Sequence, residues 1–261
     1  MYNYNINEFS EFGYVILKKI FNNKEIQNIK NAIYAPLAIL SNQVDKKDIL
    51  WEDIEKLSVK LKQNSTSAYL NAIRISQNDP KILASSNNEN LLNGLRSIGL
   101  SHPVVSLKPF LVLVSPELYV EGGYNLRPYH QEWPVIQGSE DSVVSWTALH
   151  DVDERHNAVE LIPNSHKDQL RNYSITSCGT TVTRESMPED KPIRIHLKAG
   201  ETLVFSSFMI HRSSPKGRNF RAALTIRYNN LNSEKFIKRF FKDPYKLEID
   251  RDPKTVYNPK V

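Results

Sequence analysis

The spacing of hydrophobic positions along this chain changes once. Between about residues 20 and 100, apolar side chains recur every three to four positions, the spacing that lines one face of a helix. Asn22-Asn23-Lys24-Glu25 has the form of a capping box and starts a predicted helix with Ile26, Ile29 and Ile33 on one face. Further helices are predicted over 50–62, 68–77 and 89–98, the last closed by Gly99. Ahead of them, Gly13-Tyr14-Val15-Ile16-Leu17 is a short β-type run. From Val104 the chain breaks into short runs rich in β-branched and aromatic residues, bounded by Pro, Gly and Asn. These predict strands over 107–114, 143–149, 159–162, 193–197, 202–205 and 221–228.

Many short strands at this spacing favour a double-sheet jelly roll or barrel over a parallel sheet, with the helices buttressing one sheet. The expected class is mainly β with flanking helices: a helical part over about 20–100 and a β core over about 104–230. The 261 residues suit one domain spanning 1–261, and the chain has no internal repeat or Gly/Ser-rich linker. The polar stretch 172–191 is the long weak segment between strands, a candidate lid or substrate loop.

Composition narrows the class. With 40% hydrophobic and 24% charged residues, the chain has no apolar run approaching the length a membrane span requires. Met1-Tyr2-Asn3-Tyr4-Asn5 lacks the basic start and apolar stretch of a secretory signal, so the cytoplasm is the expected compartment. The one cysteine, Cys178, excludes an internal disulfide and fits that compartment. A net charge of +5 invites a nucleic-acid reading, but the basic residues are scattered except over 235–246, so no nucleic acid is expected as partner. The stretch 235–242 reads as an amphipathic segment with a solvated basic face. The basic excess also suits a small anionic substrate steered toward its site.

Candidate chemistry centres on His130-Gln131-Glu132, His211 and Arg221. Two histidines and one carboxylate are the minimal ligand set of a non-haem iron(II) centre that keeps positions open, and an arginine soon after the second histidine suits a dicarboxylate. In a strand, His130 and Glu132 would project to one face while Gln131 faces away. His211 follows the apolar runs 203–205 and 208–210, which should put it at a strand end near the sheet interior. Arg227 is an even number of residues from Arg221 along the same strand, which makes it the competing anchor. His166 reads as a structural turn residue, His102 and His196 have no partner pattern, and Trp133 and Trp146 also fit as ordinary core aromatics.

Taken together, Tyr129-His130-Gln131-Glu132-Trp133, Ser145-Trp146-Thr147-Ala148-Leu149, Leu161-Ile162-Pro163-Asn164-Ser165-His166, Ala199-Gly200-Glu201-Thr202-Leu203-Val204-Phe205, His211-Arg212-Ser213 and Phe220-Arg221-Ala222-Ala223-Leu224 resemble the phytanoyl-CoA dioxygenase family in order and spacing. Phe12-Gly13-Tyr14-Val15-Ile16-Leu17 resembles that family's opening, while residues 35–103 match only loosely. The resemblance implies a double-stranded β-helix, a cupin-like jelly roll, and an Fe(II)/2-oxoglutarate-dependent dioxygenase that uses O2. It implies that His130, Glu132 and His211 ligate iron. It further implies that Arg221 pairs with the far carboxylate of 2-oxoglutarate, that the Ser213 hydroxyl supports the same carboxylate, and that Trp146 walls the co-substrate pocket.

Three departures from the family pattern stand out. Glu132 occupies the usual Asp position; a retained carboxylate there argues for hydroxylation or desaturation over halogenation. His150 follows Trp-x-Ala-Leu where an acidic or small polar residue is usual. Asn164 replaces a turn glycine, and Asn tolerates the left-handed backbone such a turn needs. The substrate is expected over the open side of the iron near Arg127, Trp133, His150 and the 172–191 loop, and is read as a small metabolite or saccharide, with an anionic one favoured. Two alternatives stay open: a jelly-roll protein that binds a metabolite without turnover, and a cupin-type metalloenzyme that does not use 2-oxoglutarate. The joint presence of the ligand triad, Arg221 and Ser213 tells against both.

Overall fold

The computed structural model describes residues 6–43, 46–120 and 126–241. The first part holds helix α1 (Ile6–Phe12), strand β1 (Tyr14–Leu17) and helices α2 (Asn23–Leu40), α3 (Trp51–Asn64), α4 (Thr66–Ser76), α5 (Pro80–Ala84) and α6 (Glu89–Ser97). Then come strand β2 (Pro103–Val114), the short helix α7 (Trp133–Ile136) and strands β3 (Val143–Ala148), β4 (Val159–Leu161), β5 (Tyr173–Thr176), β6 (Gly179–Val182) and β7 (Ile193–Arg194). Strands β8 (Thr202–Ser206), β9 (His211–Ser213) and β10 (Arg221–Asn230) and helix α8 (Glu234–Lys238) complete the order. Among the described residues no helix is long and apolar enough to cross a membrane.

Local signals explain the helical layer. The Asn22 side chain accepts from the N–H groups of Lys24 and Glu25, and the Glu25 carboxylate accepts from the Asn22 N–H at 2.8 Å, so the expected capping box forms. Ile26, Ile29, Ile33 and Leu37 make the buried stripe of α2. Gly99 takes φ +108 just past α6, a left-handed position that favours glycine.

The strands form two antiparallel sheets, in the orders β1-β8-β3-β10-β2 and β7-β4-β9, with β5 and β6 as a separate hairpin. The jelly-roll expectation holds. Alternation along β10 divides the core: Ala222, Leu224, Ile226 and Tyr228 pack with the helices, while Ala223 joins Val144, Trp146, Leu203 and Phe205 against Val159 and Leu161 of the small sheet. The large sheet is thus buried on both faces, and the odd-numbered positions of β10, including Arg221 and Arg227, look into the space between the sheets.

Several expectations change. The strand expected over 193–197 shortens to Ile193–Arg194, and Leu197 makes only an isolated bridge to Val152. The 172–191 stretch is no plain loop, since it contains the β5–β6 hairpin and a 3-10 turn at Arg184–Ser186. Helices α1 and α5 and strand β9 add to the predicted elements. Of the basic segment 235–246, α8 is described through Lys238 with Phe236 buried, and residues 242–246 lie outside the described residues.

Candidate metal centre

His130 and His211 are brought together by the backbone. Each donates its N–H to the other's carbonyl at 3.0 Å, an antiparallel bridge that sets the two imidazoles side by side with ring centroids 4.1 Å apart. His211 opens β9, as its place after the apolar run implied. Glu132 arrives differently from the expected strand alternation. His130 makes only that bridge, and Glu132 has φ −82 and ψ −26 at the entrance to α7. The chain turns there because the N–H groups of Glu132 and Trp133 both donate to the Ser207 carbonyl, at 2.9 and 3.0 Å. Gln131 faces away as expected; its side-chain amide donates to the carbonyls of Gln169 and Phe208 and accepts from the Arg171 N–H.

The tautomers follow from the partners. His130 Nδ1 lies 2.7 Å from the Pro128 carbonyl and His211 Nδ1 3.0 Å from the Met209 carbonyl. A carbonyl only accepts, so each Nδ1 carries the proton and each Nε2 presents a lone pair. Both Nε2 atoms face Glu132 Oε1, at 3.4 and 3.7 Å. Burial, reinforced by the Arg127 charge, pushes the His130 pKa down to about 3, so the ring is neutral. Burial alone would raise the Glu132 carboxyl, but the charges of Arg227 and Arg127 outweigh it and hold the group well below the usual carboxylate range. Three acceptor atoms therefore converge within 4.8 Å of one another in a buried place. Lone pairs crowded this way repel unless a cation sits among them, so the donor set fits a metal ion.

The second oxygen of Glu132 is already used. Arg227 Nε donates to Oε2 at 2.9 Å, leaving Oε1 directed at the imidazoles. Arg227, the competing anchor on sequence grounds, is instead engaged with the carboxylate.

Arg221 lies across the same small cavity, about 70 Å³ in volume, with Ser213, Trp146 and Arg127 in its wall. It is 1% exposed, and burial pushes its guanidinium pKa down to about 9. Nη1 donates to the Asn157 carbonyl and Nη2 to Ser213 Oγ at 3.3 Å, with the Trp146 ring centroid 5.3 Å from Cζ. Its Nε is buried without a hydrogen-bond partner, and among the described residues no carboxylate pairs with it. Thr225 Oγ1, in the same wall, is also buried and unpartnered. These unmet groups fit an anionic, oxygen-rich ligand. Thr225 was not singled out from the sequence, although its alternation with Arg221 and Arg227 on β10 was available as a signal.

Two expected substrate contacts do not join this cavity. His150 points to the other side of the sheet: its Nε2 accepts from the Ala222 N–H at 3.0 Å, its Nδ1–H donates to the Asp151 carbonyl at 2.8 Å, and its ring stacks on Phe220. It lines a different cavity with Trp51. Trp133 stacks on Phe208 with centroids 5.5 Å apart and lies outside the cavity wall, because the turn at Glu132 swings it away. Arg127 does line the cavity. His166 is structural, its Nε2 hydrogen-bonded to the Ser10 carbonyl, and Asn164 adopts φ +63 as its turn requires.

An outer cavity of about 860 Å³ shares Phe110, Arg127, Glu132 and Arg227 with the inner one. It runs between α4, which presents Asn71, Arg74 and Ile75, with Asn78 in the turn after it, and the β5–β6 hairpin, which presents Ile175, Gly179 and Thr180.

Solved structures share this fold at low identity. The non-heme monooxygenase ThoJ is 14% identical, with 86% of this chain and 76% of that chain covered and a TM-score of 0.57. HygX from Streptomyces hygroscopicus, solved with nickel and 2-oxoglutarate bound, is 11% identical over 87% of each chain, with a TM-score of 0.52. The alpha-ketoglutarate-dependent carbocyclase SnoK from nogalamycin biosynthesis is 12% identical over 89% of each, with a TM-score of 0.51. No curated protein matches the sequence. The sequence profile described as Phytanoyl-CoA dioxygenase (PhyH) matches residues 9–223, which take in the metal-ligand candidates and Arg221. The chain belongs to the phytanoyl-CoA dioxygenase family of non-haem iron(II) and 2-oxoglutarate-dependent oxygenases.

Proposed function

We propose that this chain hydroxylates an unactivated C–H bond of a small metabolite in an iron(II)- and 2-oxoglutarate-dependent reaction. The observation that carries the reading is the pairing, in one cavity, of three converging acceptor atoms with a buried arginine that has no carboxylate partner among the described residues. His130, Glu132 and His211 would hold the metal, and Arg221, Ser213 and Trp146 the far end of 2-oxoglutarate. Iron with 2-oxoglutarate bound supplies oxidation of a C–H bond by dioxygen, with decarboxylation of the co-substrate to succinate.

The protein's own residues have separate tasks. The Nδ1–H bonds of both histidines keep the Nε2 lone pairs aimed at the centre. Arg227 fixes the carboxylate so that Glu132 offers Oε1. Arg221 supplies charge in a place closed to water, where a pair with a carboxylate is strong. The carboxylate ligand favours hydroxylation, although the fold also serves a carbocyclase.

The outer cavity favours a substrate with an apolar body. Ile75, Leu107, Phe110, Val135 and Ile175 face it and make most of its exposed wall apolar. Arg74 and Lys108 at its edge favour an anionic group on that body. The test is anaerobic titration with Fe(II) and then 2-oxoglutarate. The visible charge-transfer band of the chelate is expected in the wild type and absent in His211→Ala. Bound iron without the band would favour a metalloenzyme that does not use 2-oxoglutarate, and no bound iron would favour a binding protein.

A further inference from the structure

The β5–β6 hairpin has little burial to hold it. All of β5 is exposed, and of β6 only Val182 is buried, packed with Ile162 and Ile210. At that end the Val182 N–H donates to the Tyr129 carbonyl at 2.9 Å. A two-stranded ribbon belonging to neither sheet is marginally stable by itself. Its other end, the turn at Ser177 and Cys178, is tied to Arg127.

Arg127 Nε donates to the Cys178 carbonyl at 3.2 Å and Nη2 to the Thr180 carbonyl at 3.4 Å. Gly179, between those carbonyls, has φ +90, and a Cβ on it would stand 3.2 Å from Arg127 Nη2. The turn is therefore shaped to the guanidinium. The remaining nitrogen, Nη1, lies 3.6 Å from Glu132 Oε1, the oxygen that faces both imidazoles. Arg127 is 9% exposed and sits where the inner and outer cavities meet. A guanidinium is planar and rigid, so its nitrogens move as one body. Displacing the hairpin tip displaces the charge beside Glu132.

We infer that Arg127 is a positioning residue that couples the hairpin walling the outer cavity to the carboxylate of Glu132. A ligand that seats against Ile175 and Thr180 then also shifts the charge that stands beside the carboxylate. The geometry needs no metal; only the relay to a bound metal rests on the oxygenase reading.

The first test is hydrogen exchange of the amides of residues 174–182 in the metal-free full chain. Arg127→Met is expected to speed their exchange about tenfold or more, as expected when hydrogen bonds to a charged group are lost. Glu132→Gln, remote from the hairpin in sequence, is expected to speed it about threefold or more beside Arg127 and to add nothing in the Arg127→Met background. Equal effects of Glu132→Gln in both backgrounds, or none in either, overturn the coupling. Gly179→Ala disturbs the same contact from the hairpin side and replaces Arg127→Met in the cycle if that variant does not fold.

Nickel(II) provides the second arm, with bound metal measured in parallel. It is expected to slow hairpin exchange in the wild type and not in Arg127→Met. Bound nickel with an unaltered hairpin overturns the relay. Failure of the wild type to bind nickel overturns the metal reading, and the metal-free cycle then decides the coupling.

Discussion

Replacing Arg221 with methionine separates two effects of opposite sign. In the ligand-free protein the guanidinium is buried without a carboxylate partner among the described residues, and burial pushes its pKa down to about 9. That shift corresponds to a penalty on the charged form of at most about 5 kcal/mol. Against it stand the bonds to the Asn157 carbonyl and Ser213 Oγ, each contributing about 1–2 kcal/mol net. Methionine fills similar space with no charge, so the ligand-free variant should be as stable as the wild type or more stable by about 1–3 kcal/mol. Binding of 2-oxoglutarate should move the other way. Truncating one partner of a buried charge pair costs about 2–4 kcal/mol, equivalent to about 30- to 1,000-fold in affinity. Urea denaturation of the metal-free protein measures the first effect, and calorimetric titration of 2-oxoglutarate into the nickel-loaded protein measures the second. A variant that loses about 2 kcal/mol or more without ligand would make Arg221 a structural cation. One that binds 2-oxoglutarate within about threefold of the wild type would refute the anchor role.

Arg227→Met should weaken metal binding about 10- to 100-fold by freeing Glu132 Oε2 to rotate, as loss of a group that orients a ligand does; equilibrium dialysis with nickel checks it, and an unchanged affinity would show that the carboxylate needs no such hold. His150 has its pKa pushed from 6.5 down to about 4 by burial, and protonation of Nε2 would break its bond from the Ala222 N–H. Its contribution is fully present above pH 6.5 and is lost as pH falls toward 4, because the unfolded chain takes up the proton first; the loss is at most about 3 kcal/mol. His150→Gln should flatten that acid limb in urea denaturation between pH 7.5 and pH 4, and parallel pH profiles would exclude His150 as its source.

The parts of the fold legible in the sequence are those whose signal is local. Asn22 and Glu25 cap a helix by themselves, and the even spacing of Arg221, Thr225 and Arg227 puts them on one face because β10 pairs regularly with β3. The chemistry of the centre was legible in residue types, since two histidines and a carboxylate mean the same thing however they meet. The way they meet was not. Glu132 is turned toward the imidazoles by bonds to the Ser207 carbonyl, a long-range partner that no local pattern reveals. His150 stands two residues past β3, and the turn of the chain at Leu149 decides which side of the sheet it reaches. The β5–β6 hairpin left no trace because its strands have almost no buried face to alternate with, and its turn carries Ser177-Cys178 in place of an Asn-Gly pair. The Asp79-Pro80 start of α5, an N-cap followed by a first-turn proline, is a local signal that went unread, and α5 was not expected.

The strand order β1-β8-β3-β10-β2 has a consequence for biosynthesis. Every neighbour in the large sheet is distant in sequence: Tyr14 lies beside Phe205, and Val114 beside Arg221. A nascent chain that has emerged only as far as α6 can coil its helices, but β1 has no partner until β8 leaves the ribosome, and β2 none until β10 does. Such nonlocal pairing is slow, and it leaves apolar strand edges waiting while synthesis continues. Because β9 comes between those two late arrivals, His211 meets His130 only as the sheet closes, so the site that would capture a reactive metal forms only once the barrel able to shield it is nearly complete.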